Sequence, residues 1–104
     1  MAHKELICKT CPSIVLKPNT GEFLPDHVDA LPMSTSEDNK TEFTGWVYVK
    51  DHFDFYNVGF SRNVNNDKEK YLVCADCERG PIGVQYLDTG KIYVAVDCLK
   101  QVEV

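Results

Sequence analysis

The sequence predicts an all-β (mostly β) fold, and three observations carry that prediction. Its apolar runs are short, rich in β-branched and aromatic residues, and bounded by turn formers. Several alternate with a period of two, as half-buried strands do. No window sustains an apolar stripe at helical spacing over about ten residues.

In chain order, "SIVLK" (13–17) is a first strand ending at "PNTG", where Pro18 and Gly21 mark a turn. "LPDHVDALPM" (24–33), enclosed by Pro25 and Pro32, is expected to form a short turn of helix. "STSEDNKTEFTG" (34–45) is polar, with no apolar side chain before Phe43, and is expected to be a mobile loop. "WVYVK" (46–50) alternates and predicts a strand.

In "HFDFYNVGFS" (52–61), Phe53 and Phe55 share one phase while Val58 and Phe60 take the other. That shift, with Gly59 beside it, predicts a bulge near Tyr56–Asn57. "NVNNDKEK" is a polar turn before the strand "YLVC". "IGVQYL" and "KIYVAV" flank "DTG" and predict a hairpin. Continuing the alternation of "KIYVAVDCL" puts Ile92, Val94, Val96 and Cys98 on one face.

At 104 residues the chain is expected to be a single domain, 1–104, and a monomer. The net charge of −5 and the lack of a basic stripe argue against a nucleic-acid binder. "MAHKELICKTC" has no apolar signal-peptide region, and no run reaches membrane-spanning length. A cytoplasmic location without direct membrane insertion is therefore expected. Thiols stay reduced there, so the five cysteines suggest metal ligation plus one left over, and not a disulfide framework.

Four of the cysteines form two matching knuckles. Cys8 and Cys11 in "ICKTCPS" answer Cys74 and Cys77 in "VCADCER", with 62 residues between the pairs. A two-residue spacing lets one tight turn aim both sulfurs at one ion, and two such turns complete a tetrahedral thiolate shell. The expected cofactor is one structural Zn²⁺, closed on all sides and therefore not catalytic. Closing so long a loop costs about 3–4 kcal/mol. Structural zinc contributes about 10–16 kcal/mol, so the ion would decide whether the chain folds. Cys98, in an aliphatic strand phase, reads as a small buried hydrophobe.

The two knuckles, "NVGF" (57–60), "YLVCADCERGPIG" (71–83) and "IYVAV" (92–96) together resemble the Rab-interacting factor family of Mss and Dss types. The resemblance covers roughly residues 51–97, the first knuckle and "SIVL", and is weak over 17–45. It implies a β-tent of antiparallel sheets joined by the zinc site. It also implies binding to nucleotide-free Rab GTPases of the secretory pathway, with slow nucleotide release and stabilisation of the emptied GTPase.

The partner surface that the resemblance implies includes Asp76, between the second pair of cysteines, and Asp51, His52 and Phe53 ahead of "NVGF". Stiff knuckles would present Asp76 and Glu78 without an ordering cost, with Phe53 as an apolar anchor. On the residues alone, Asp76 and Glu78 read equally as solvated turn acids and Phe53 as core. Two departures bear on partner choice. Val84 and Gln85 follow "GPIG" where the family often has Trp-His, and His52 and Asp54 replace apolar residues.

The rival reading is an enzyme of the B-type methionine sulfoxide reductase kind, which also combines two zinc knuckles with a β-tent. Cys98 would be its nucleophile, yet it lacks the arginine- and histidine-rich surroundings that such enzymes supply.

Overall fold

Alternation and turn chemistry produce nine strands in the described part of a computed structural model, which covers residues 5–9, 13–18, 20–32, 40–51, 54–61, 68–77 and 80–102. They are β1 (Glu5–Cys8), β2 (Ile14–Leu16), β3 (Glu22–Pro32), β4 (Lys40–Val49), β5 (Val58–Phe60), β6 (Glu69–Cys74), β7 (Gly83–Tyr86), β8 (Ile92–Ala95) and β9 (Leu99–Val102). A 3₁₀ turn, Val96–Cys98, separates the last two. All pairings between strands are antiparallel.

The strands form a three-stranded sheet in the order β2-β1-β9 and a six-stranded sheet in the order β3-β4-β8-β7-β6-β5. Leu6, Val15 and Leu16 of the small sheet join Val47, Val49, Leu72, Ile92 and Val94 of the large one in a single buried cluster. A second cluster takes Trp46, Tyr71 and Ala95 from the other phase of β4, β6 and β8 and adds Leu31 of β3 and Val84 of β7. Trp46 pairs with Ala95 and Val47 with Val94, so adjacent residues of β4 serve different clusters. This two-sided burial explains why Trp46, Val47 and Val49, and the run Ile92–Ala95, carry no charged residue.

Residues 24–32 are not helical but lie in β3, which occupies an edge of the large sheet, and Met33 lies outside the described residues. Prolines are tolerated on edge strands and at bulges, and Pro25 lies in such an irregularity. The register slips between Leu24 and Val28, where four residues of β3 span two of β4. Gly45, opposite this slip at φ +96°, has a conformation that side chains rarely adopt. The expected loop over 34–45 is likewise corrected: from Lys40 onward it is strand β4. Thr41, Glu42 and Thr44 are exposed, which accounts for the absence of an apolar pattern. Residues 34–39 lie outside the described part.

The break expected near Tyr56–Asn57 falls where Asn57 turns into the left-handed region, φ 53°, just ahead of β5. Asparagine tolerates this conformation because its short side chain bonds locally; here Nδ2 donates to the Ile14 carbonyl at 3.2 Å. The "DTG" hairpin forms as expected between β7 and β8. Gly90 at φ +75° closes it, and its N–H donates to the Tyr86 carbonyl at 2.7 Å. The alternation into Cys98 does not continue, because β8 stops at Ala95. Cys98 sits half-buried in the 3₁₀ turn, packed against both clusters.

The bulged part of β3 reaches strands that it does not pair with. His27 stacks on Tyr93 of β8, with ring centroids 4.7 Å apart and planes 4° from parallel, and meets Trp46 edge-on at 6.0 Å. Asp29 accepts a hydrogen bond from the Tyr86 hydroxyl of β7. Burial first, then this bond and the carboxylates of Asp29 and Glu69, hold the Tyr86 phenol well above its usual range. Its neutral form therefore stabilises the fold fully below the unfolded phenol's pKa, about 10, and that contribution is lost as pH rises further. Chemical denaturation at stepped pH should show an alkaline loss of stability in the parent that Tyr86→Phe lacks. Parallel curves above about pH 10 would remove Tyr86 from the account.

Candidate metal centre

Three of the four expected ligands converge. Cys8 ends β1, Cys74 ends β6 and Cys77 lies in the turn that follows, and their sulfurs all lie within 4.8 Å of one another. Cys11 lies outside the described residues. Among the described residues the cluster comprises these three cysteines, and Cys98 is not a member.

The sulfur spacing distinguishes between the uses of such a cluster. Cys8 Sγ and Cys77 Sγ are 3.4 Å apart. A disulfide needs about 2.05 Å. Two thiolates on one tetrahedral zinc, each at about 2.3 Å from the metal, are separated by about 3.8 Å. At 3.4 Å the two sulfurs are not disulfide-bonded and are close enough to share one ion, and soft sulfur donors fit zinc better than hard cations.

The backbone around the knuckles is tied at several points. Cys8 N–H donates to the Ser13 carbonyl at 2.9 Å. Ala75 N–H, inside the second knuckle, donates to the Asn57 carbonyl at 2.7 Å, and Tyr56 N–H donates to Val15 at 2.9 Å. Lys9 Nζ donates to the Asp97 carbonyl at 2.6 Å, joining the first knuckle to the 3₁₀ turn. Cys8 and Cys74 are 2% and 0% exposed, whereas Cys77 is exposed, so one edge of the cluster reaches the surface.

Asp76 is exposed between Cys74 and Cys77, and its carboxylate accepts a hydrogen bond from the Ser13 hydroxyl. This acid therefore links the two knuckles while keeping a carboxylate face in solvent. Ser13 gave no sequence signal for that role: it was visible only as the first residue of the strand "SIVLK", and its partner lies 63 positions away. Asp51 is exposed just beyond β4, and its carbonyl accepts from Asp54 N–H at 3.1 Å. His52, Phe53 and Glu78 lie outside the described residues. Among the described residues, no helix is long and apolar enough to cross a membrane.

The family described as "Mss4 protein" matches residues 1–101. A Drosophila melanogaster protein named "Guanine nucleotide exchange factor MSS4 homolog" is 38% identical over 95 residues, covering 86% of this chain and 76% of its own. A Schizosaccharomyces pombe protein of the same name is 35% identical, covering 80% and 82% of the two chains. "Protein DSS4" of Saccharomyces cerevisiae is 31% identical, covering 71% and 73%. The family match takes in both cysteine knuckles and nearly all the strands between and after them, and on that ground the chain belongs to the Mss4 protein family.

Proposed function

We propose that this chain binds nucleotide-free Rab-family GTPases of the secretory pathway, promotes slow GDP release and then stabilises the emptied GTPase. The observation that carries the reading is the name guanine nucleotide exchange factor, borne by relatives that align over most of this chain. One structural Zn²⁺ would be held by Cys8, Cys74 and Cys77 together with Cys11, and the chain would act as a cytoplasmic monomer. The ion would supply rigidity and no chemical step.

The energetics need no chemistry from this chain. A GTPase holds its nucleotide through phosphate contacts, Mg²⁺ and ordered switch segments. A partner that prefers the empty state weakens nucleotide binding by the same factor by which nucleotide weakens the partner. What the partner must provide is a surface that loses little entropy on docking. The metal knuckles and the Ser13–Asp76 bond support that role for Asp76, with Asp51, His52, Phe53 and Glu78 completing the proposed surface.

Mixing with a panel of GDP-loaded Rabs tests this. Release of labelled GDP, a stable empty complex and dissociation of that complex by GTP are expected together. Asp76→Ala should weaken the complex at least tenfold, about 1.4 kcal/mol, with metal content unchanged. Ser13→Ala, which removes only the internal bond, should weaken it less. Equal binding by Asp76→Ala and the parent would show that the surface is wrongly placed.

A further inference from the structure

Tyr56 is one of two large hydrophobic residues exposed among the described residues, at 49%, the other being Val28 at 48%. Every neighbour of Tyr56 in the chain is engaged. Phe55 packs against the main core and Asn57 is held in the left-handed region by its bond to Ile14. The Tyr56 N–H is itself bonded to Val15. A residue whose backbone is fixed on both sides while half its surface faces water is presented, not merely left over.

Its position is equally informative. The Asn57 carbonyl holds Ala75 N–H, so Tyr56 and Asp76 are each one residue away from a single hydrogen bond that joins the β5 approach to the second knuckle. Lys17 Nζ lies over the ring at 5.7 Å from its centroid, and Glu5 holds the same ammonium at 3.7 Å. The ring thus has a cation beside it and an acidic knuckle on the adjoining turn. Tyrosine is favoured at the energetic centres of interfaces because it brings a large rigid surface with few torsions to freeze.

We infer that Tyr56 is an aromatic anchor of the docking surface and packs against an apolar patch of the bound GTPase, with Asp76 supplying the charged contact beside it. This rests on the function proposed above and extends its surface to a residue outside the residues assigned from the family resemblance.

The test measures affinity for a nucleotide-free Rab that the parent chain binds. Tyr56→Ala should lose about 30-fold or more in affinity, the usual scale of an interface hot spot. Its metal content and thermal midpoint should match the parent. Tyr56→Phe should stay within about threefold, because the ring and not the hydroxyl makes the contact. Val28→Ala, equally exposed but on β3, should be unchanged. Tyr56→Gln substitutes for the alanine variant should the latter lose metal. Undiminished binding by Tyr56→Ala or Tyr56→Gln overturns the inference and leaves the proposed function standing, as does an equal loss in Val28→Ala. A loss in Tyr56→Phe as large as in Tyr56→Ala overturns the apolar contact. Failure of the parent to bind any Rab in the panel overturns the proposed function and this inference with it.

Discussion

Stripping the proposed Zn²⁺, or replacing Cys74 by serine, is expected to unfold the chain and not merely to loosen one end. Cys74 is fully buried at the end of β6, and Cys8 holds the end of β1 within a few ångströms of it. β1 is the central strand of the small sheet, which supplies Leu6, Val15 and Leu16 to the main cluster. Losing the sulfur cluster therefore frees one wall of the core. Structural zinc contributes about 10–16 kcal/mol, whereas the net stability of a domain is only about 5–15 kcal/mol. Elemental analysis should find one metal ion in the parent and none in Cys74→Ser. The β-type circular dichroism and the cooperative thermal transition should disappear on chelation and return with added zinc. Asp76→Asn should behave as the parent in all three measurements, which separates the metal from the bond beside it. A chelated chain with an unchanged spectrum would overturn this account.

The convergence of Cys8, Cys74 and Cys77 was legible in the sequence because ligand geometry is local. A two-residue spacing is imposed by one turn, and a second such pair has few other uses. The strands over 46–49, 71–74, 83–86 and 92–95 were legible for a similar reason, since burial forces apolar residues into fixed phases. β3 was not legible. Its two prolines break the pattern of a central strand but are harmless at an edge, and edge position follows only from the whole sheet. The first half of β4 was hidden because its side chains at 41, 42 and 44 face water. Cys98 kept strand phase on paper, but the backbone turns at Val96 and ends that phase. The Ser13–Asp76 bond was invisible because two polar side chains 63 positions apart leave no periodic trace.

Trp46→Ala is expected to produce the second largest loss, about 3–5 kcal/mol, as for other large aromatic truncations in a core. Trp46 is completely buried, and its indole N–H donates to the Phe43 carbonyl at 2.9 Å across the Gly45 bend. His27 packs against its edge at 6.0 Å, so one side chain helps hold both strands of the β3–β4 pair in place. Removing it opens a cavity in the second cluster and frees the Phe43 carbonyl from its donor. Trp46→Phe keeps most of the volume but not the N–H, and should lose about 1–3 kcal/mol, the scale of an unpaired buried polar group. Metal stoichiometry should survive both changes under native conditions. Trp46 belongs to the second cluster, whereas β1, which carries Cys8, packs through the first. Because Trp46 is the only tryptophan, the parent's fluorescence reports directly on this cluster, and the variants can be followed by circular dichroism in urea. If Trp46→Ala unfolds within about 1 kcal/mol of the parent, the bulged strand is held by other contacts, and the Asp29–Tyr86 bond becomes the first to remove.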